Sequence, residues 1–272
     1  MSEHHWIAVL DFGSQYSQLI ARRIREQQVF SELVPHGITA AALRDRRPAG
    51  IILSGGPSSV FDPGAPTCDP ALFDLGVPVL GICYGMQLTA QILGGQVRAG
   101  TRREYGRALV GVIAADPLFT DLPPELEVWM SHGDQVVERP PGFEALAQTP
   151  TCPAAAMGNA LRRIYGLQFH PEVVHTPRGT EILRRFLFSV CGCTPDWRMS
   201  SFAAEAIGRI RGQVGDAHVI CGLSGGVDSS VVAALLHRAI GPQLHCIFVD
   251  NGLLRAGEAE QVEATFQDKM GL

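Results

Sequence analysis

Val77-Pro-Val-Leu-Gly-Ile-Cys-Tyr-Gly-Met-Gln87 is the stretch on which the fold turns. A short apolar run, Val79 to Ile82, meets Cys83. Helix-spaced residues Gln87, Leu88, Ile92 and Leu93 follow, and Gly94-Gly95 ends them. An apolar strand feeding straight into a helix is the unit of a parallel sheet covered on both faces. The same alternation stands upstream. Ile7–Phe12 reads as a strand, and Tyr16, Leu19, Ile20, Ile24 and Gln27 mark an amphipathic helix. Ile51–Leu53 is a second strand, running into Ser54-Gly-Gly-Pro57.

Downstream the style changes. Leu109–Ile113, Glu127–Met130 and Ile164–Phe169 are short β-rich pieces between Pro- and Gly-rich turns, expected as added, partly antiparallel strands of the same sheet. A helix through Ile182, Leu183, Phe186, Leu187 and Val190 closes the unit. The fold class is therefore α/β: a mixed, mostly parallel sheet of roughly seven to nine strands, flanked by helices. Cys191-Gly-Cys-Thr-Pro-Asp-Trp197 is a turn-rich break, which predicts domains at 1–194 and 195–272. After it come a helix through Phe202, Ala206, Ile207 and Ile210, a strand Val219–Leu223, a helix to about Ala239, and a strand Leu244–Val249. A last helix near Glu258–Phe266 carries Val262, Phe266 and Met270 as an apolar stripe. About 75 residues with two strands are few for an α/β domain, so the second unit is expected to be the opening part of a larger one.

Composition narrows the class. Charged residues are 18% of the 272, hydrophobic residues 46%, and the net charge is −5, which argues against a disordered tail or a nucleic-acid-coating surface. No apolar run approaches the ~20 residues of a membrane helix. The first apolar run stops at Asp11, too short for a signal peptide, and the seven cysteines show no CxxC pair. A reduced cytoplasmic setting without zinc, membrane or nucleic acid is the expectation. His4-His5 reads as a free terminus and Trp129 and Phe169 as core. Arg22-Arg23-Arg25, Arg102-Arg103, Arg162-Arg163 and Arg184-Arg185 read as solvated faces.

Gly81-Ile82-Cys83-Tyr84-Gly85 has the form of a nucleophile elbow with Cys for Ser, its sulfur near a helix N-terminus. Read alone, it also fits a buried Cys at a strand end. A Cys nucleophile needs a base, and the base an orienting acceptor. His170 and Glu172 stand two apart at the end of a strand, where i and i+2 share a face. There Glu172 can hold the imidazole while His170 takes the Cys83 proton; a structural histidine fits the same pair. Ser224-Gly225-Gly226-Val227-Asp228-Ser229-Ser230 lies between a strand and a helix. It forms a nest of N–H groups and hydroxyls for an anion, and no Walker lysine stands in it. Asp228 is a candidate for a magnesium link or for a helix-capping carboxylate.

Together, Asp11-Phe-Gly-Ser-Gln15, Ser54-Gly-Gly-Pro57, Gly81–Gln87, Ser131-His-Gly-Asp134 and Gln168-Phe-His-Pro-Glu172 resemble the class I glutamine amidotransferases over about residues 5–193. The resemblance implies that Cys83 attacks the glutamine amide, with His170 as base and acid and Glu172 as its orienter. It gives the backbone of Tyr84 and Gly56 to an oxyanion site, and Gly55, Gln87, Ser131, Gly133 and Asp134 to glutamine binding. Residues 224–230 resemble the PP-loop of the N-type ATP pyrophosphatases. With Asp250-Asn-Gly-Leu-Leu-Arg255 behind it, the arrangement is similar to that of the GMP synthetase family. That likeness implies glutamine, ATP with Mg2+, and XMP as substrates, no organic cofactor, and a homodimer of the full-length protein.

Overall fold

The computed structural model describes residues 4–250, 252 and 257–269. Asn251, Leu253, Leu254, Arg255 and Met270, used above, lie outside the described residues. The chain forms two compact units, 1–197 and 198–272. Residues 195–197, read above as the start of the second domain, therefore fall in the first. There the Trp197 N–H donates to the Gln28 carbonyl and the Trp197 ring packs near Phe30.

In the first unit the order is β1 (Trp6–Asp11), α1 (Ser17–Glu26), β2 (Phe30–Pro35), α2 (Ala40–Arg46), β3 (Gly50–Leu53), β4 (Val79–Ile82) and α3 (Tyr84–Ile92). Then come β5 (Gln96–Val112), β6 (Glu125–Glu138), β7 (Glu144–Gln148), β8 (Ala156–Asn159), β9 (Ile164–Leu167) and α4 (Gly179–Arg185), which runs on into a wider turn, Phe186–Val190. One nine-stranded sheet holds them in the order β2-β1-β3-β4-β9-β8-β7-β5-β6. The five strands from β2 to β9 are parallel, and β8, β7, β5 and β6 join antiparallel.

The apolar runs of the parallel strands have a direct cause. Side chains alternate across a strand, so a strand covered on both faces needs apolar residues at every position. In β1, Ile7 and Val9 enter one core with Ile20, Ile24 and Leu183. Ala8 and Leu10 enter the other, with Leu43, Tyr84 and Met86. All four β1 residues are fully buried.

β2, α2, β7 and β8 stand beyond the elements expected from the sequence. β5 and β6 are single long strands of 17 and 14 residues where shorter pieces were expected. One face of this pair is exposed, so its sequence alternates (Leu126, Val128 and Met130 in; Glu125 and Glu127 out) and carries Arg and Glu between apolar residues. His4 and His5 are not a free tail: the His5 ring bonds Thr194, and both rings approach Asp196 at 3.5 Å. Trp129 is half-buried, its ring tilted against that of His175 with centroids 4.5 Å apart, whereas Phe169 is core.

The second unit contains α5 (Met199–Val214), β10 (Val219–Leu223), α6 (Val227–Ile240), β11 (Leu244–Phe248) and α7 (Glu258–Glu263). β10 and β11 pair in parallel. Cys221, Ala233, Leu244, Val262 and Phe266 share its core. Among the described residues of either unit, no helix is long and apolar enough to cross a membrane.

The β4–α3 turn tolerates no side chain at two positions. A Cβ on Gly81 would lie 2.5 Å from the Gly85 carbonyl oxygen, and one on Gly85 would run into the Leu53 carbonyl. Gly85→Ala is expected to lower the unfolding free energy by ~1–3 kcal/mol, because backbone rather than a flexible side chain must give way. Gly37→Ala, which meets nothing within 4 Å, should stay within about 0.5 kcal/mol of the wild type. Urea titrations of the two variants check this.

Candidate active site

Strand order explains why scattered motifs meet. β1, β3, β4 and β9 run parallel, so their carboxyl ends share one edge, the edge where such sheets place ligand sites. Asp11 is the last residue of β1, and the Ser54–Pro57 loop, Cys83 and the Gln168–Glu172 segment follow the other three ends. Ser54 ties the edge together. Its N–H donates to Leu10, its hydroxyl oxygen accepts from the Phe12 N–H, and its carbonyl accepts from the Gly85 N–H.

Cys83 joins β4 to α3 with φ +50° and ψ −106°, strained for a residue with a Cβ. Its N–H donates to Leu167 at 2.7 Å. Its thiol donates to the Ser131 carbonyl at 3.5 Å and accepts from Gln168 Nε2 at 3.8 Å. The side chain is nearly buried, at the floor of a cavity of about 540 Å³.

His170 Nδ1 lies 2.7 Å from Glu172 Oε1, both groups being buried. A carboxylate oxygen only accepts, so Nδ1 carries the proton and Nε2 is left for the sulfur. Burial alone opposes the imidazolium. The Cys83 hydrogen bond and the bond and charge of Glu172 overcome it, and raise the His170 pKa to about 10. The pair is not made by a shared strand face, as the spacing suggested. β9 ends at Leu167, and the contact closes within the turn beyond it. That turn is held from outside: the His170 N–H donates to Trp129 O, and Thr176 Oγ1 donates to His170 O at 2.7 Å. Arg23, expected on a solvated face, donates from Nε to Glu172 O at 3.0 Å.

The other expected residues gather here too. Gly56, Tyr84, Gln87, Ser131, Gly133 and Asp134 line the cavity. Gly55 lies beside it, its Cα so near that a Cβ would be 3.2 Å from the His170 ring. Among the described residues, the N–H groups of Gly55, Gly56 and Tyr84 make no hydrogen bond. Gln87 Nε2 donates to Asp134 O at 2.7 Å, and Asp134 Oδ2 accepts from the Ser59 hydroxyl. Sequence reasoning assigned no part to Ser59, Gln168, Arg23 or Thr176. Gln168 stood inside a quoted motif; the others join through contacts no spacing reveals.

Residues 224–230 are the second candidate site, in the other unit. Gly225 has φ +73°, and Gly226 caps α6. The hydroxyls of Ser229 and Ser230 donate to Gly226 O, and the Gly226 N–H donates to the Ser224 hydroxyl. Asp228 sits in the first turn and, among the described residues, makes no capping hydrogen bond, which leaves the carboxylate exposed beside the loop. Asp250, two residues beyond β11, accepts from the Gly252 N–H.

A family model described as glutamine amidotransferase class-I matches residues 8–190. The chain belongs to this family. A second model, NAD synthase, matches residues 205–261 and so spans the 224–230 loop of the second unit. The glutamine-hydrolysing GMP synthase of Geobacillus kaustophilus is 59% identical over 263 residues, 97% of this chain and 52% of that protein. Its counterpart in Staphylococcus carnosus is 57% identical over 264 residues, 97% of this chain and 51% of that protein. The chain thus spans about half the length of the curated relatives it matches. The crystal structure of a GMP synthase component from Thermoplasma acidophilum superposes with a TM-score of 0.64 at 32% identity, covering 71% of this chain and 96% of that one. A Thermotoga maritima glutamine amidotransferase shares the fold at 18% identity, TM-score 0.50, over 89% of this chain and 99% of its own. As in other class I amidotransferases, the core of this unit is a mixed sheet between helices.

The raised His170 pKa has a stability consequence. A group whose pKa rises on folding, here from an ordinary value near 6.5, stabilises fully below that value and loses the effect as pH climbs through about 10. Glu172→Gln removes much of the cause. Its destabilisation in urea is expected to be largest near pH 6 and to shrink by pH 10; a deficit that grows with pH would contradict the assigned cause.

Proposed function

We propose that the first unit hydrolyses glutamine to glutamate and ammonia through Cys83, His170 and Glu172. The observation that carries this reading is the buried triad at the floor of the cavity, with the imidazole proton held by Glu172 and the other ring nitrogen turned to sulfur. In the proposed reaction, His170 Nε2 takes the Cys83 proton and the sulfur attacks the side-chain amide carbon. The oxyanion is met by the N–H groups of Tyr84 and Gly56, free of other acceptors. His170 gives its proton to the departing nitrogen, leaving a glutamyl thioester and ammonia. Water, deprotonated by His170, then releases glutamate and the thiol. Gly55, Gln87, Ser131, Gly133 and Asp134 are assigned to holding the amino-acid end of glutamine.

For a protein that carries this chain at the length of those relatives, we propose GMP synthesis from XMP, ATP and glutamine. Ser224–Ser230 would hold ATP pyrophosphate through backbone N–H groups and hydroxyls, with Asp228 linked to the Mg2+ that accompanies ATP. The XMP 2-oxygen is adenylated with release of pyrophosphate, and ammonia displaces AMP. The match to an NAD synthase model supports a second reading, with another acceptor for the ammonia. Identities near 59% to relatives named GMP synthase favour XMP. A homodimer in the cytoplasm, without nucleic acid or membrane, completes the proposal.

Cys83→Ala is expected to lower glutamate release by on the order of 10³-fold or more, without loss of the fold. Retained glutaminase activity would reject the triad. Glutamine, ATP and Mg2+ offered to a protein of the relatives' length that carries this chain, with XMP or with nicotinate adenine dinucleotide, decide the acceptor.

A further inference from the structure

A second histidine–carboxylate pair, the histidine buried and the carboxylate partly so, stands beside the triad. His132 and Glu104 face each other directly across the β5–β6 ladder. His132 Nε2 is 3.5 Å from Glu104 Oε2, with side chains 2% and 14% exposed. They sit where the ladder is interrupted: Ala99 pairs with Asp134 and Glu104 with His132, so the backbone between Ala99 and Glu104 bulges out at the rim of the cavity. Glu104 is itself gripped from behind. Thr149 and Thr151 hydroxyls donate to its Oε1, and Thr149 Oγ1 also accepts from the Cys152 N–H. On the other side, His132 Nδ1 donates to Asp134 O, the same carbonyl that accepts from Gln87 Nε2.

The chemistry follows from the acceptors. A carbonyl only accepts, so Nδ1 carries a proton. The opposite contact would then set the Nε2 lone pair against a carboxylate oxygen, and it is attractive only while a proton lies between them. Neither Nε2 nor Oε2 makes a hydrogen bond among the described residues; at 3.5 Å they are two buried polar atoms left face to face. One proton shared between them would satisfy both atoms, and removing either group leaves the other buried with no partner to turn to. What they hold is the 131–134 segment: the Ser131 carbonyl against the Cys83 thiol, and the Asp134 carbonyl against Gln87.

We propose that Glu104 and His132 are positioning residues, which fix the 131–134 segment so that the cavity is shaped for the amino-acid end of glutamine. This rests on the glutaminase reading. It assigns the pair to substrate affinity rather than to the reactivity of sulfur. Glu104→Gln should largely keep the function, since an amide N–H can donate to the Nε2 lone pair without titrating. Glu104→Ala and His132→Leu should not.

The test uses two labels of Cys83, read by intact-protein mass and peptide mapping. A diazoketone analogue of glutamine alkylates sulfur with loss of N2 and saturates through the binding site; iodoacetamide needs no site. Glu104→Ala and His132→Leu are expected to raise the half-saturating concentration of the diazoketone about tenfold. Their limiting rate, iodoacetamide rate and melting temperature should change far less, and Glu104→Gln should return the half-saturation to within about threefold of wild type. An unchanged half-saturation in Glu104→Ala overturns the proposal. So does an equal collapse of both labels and of melting in all three variants, which would make the pair merely structural. If the wild type shows no saturable labelling of Cys83, the glutaminase reading itself fails, a result distinct from either.

Discussion

Everything in the first unit hangs on one backbone turn. Cys83 is held at positive φ between a strand with no slack and a helix whose first seven residues are buried. The turn closes only because Gly81 and Gly85 present no Cβ, so α3 can lie against the β4 backbone and the Leu53 carbonyl. The strain is offset by the close packing of two apolar cores on opposite faces of the sheet. Sulfur is thereby lifted clear of the strand, at the mouth of a helix N-terminus, and stays within reach of residues from three other strand ends.

The electrostatics of the site are local, but their geometry is imposed from outside. A buried imidazolium is costly alone, and here it is stabilised by a carboxylate two residues away. That carboxylate is within reach only because the chain turns sharply after β9. The turn is in its own right pinned by Trp129, Thr176 and Arg23, from β6, the 171–178 segment and α1. The cavity wall opposite sulfur has the same character: the 131–134 segment belongs to an exposed two-strand arm, yet buried contacts to Gln87 and Glu104 tie it down. Groups set among fixed dipoles and charges need little reorganisation when charge moves.

Much of this was legible in the residues. The continuous apolar runs of β1, β3 and β4 announced strands covered on both faces, and Gly-x-Cys-x-Gly announced the elbow. The 219–240 strand–loop–helix unit was read with its bounds nearly right. The long β5–β6 arm was not, because a half-exposed strand carries charge on every second residue and so loses the apolar run that betrays a buried one. β2 and α2 were missed for a related reason: each is short and partly exposed. Arg23 and Trp129 were misread because side-chain destination depends on neighbours distant in sequence.

The sequence by itself determined the residue types and their order: a Cys between two glycines, a His and a Glu two apart, a Gly-Gly-Val-Asp-Ser-Ser loop after an apolar strand. These are local covalent facts, and short-range sterics and periodicity act on them directly. Only the tertiary structure decided that Cys83 and His170, 87 positions apart, share a proton network, that Arg23 braces Glu172, and that Glu104 meets His132. Parallel strand order brings four carboxyl ends to one edge, and the register across a bulge sets which residues face each other. Both are consequences of how separate segments pack, and no spacing along the chain encodes them.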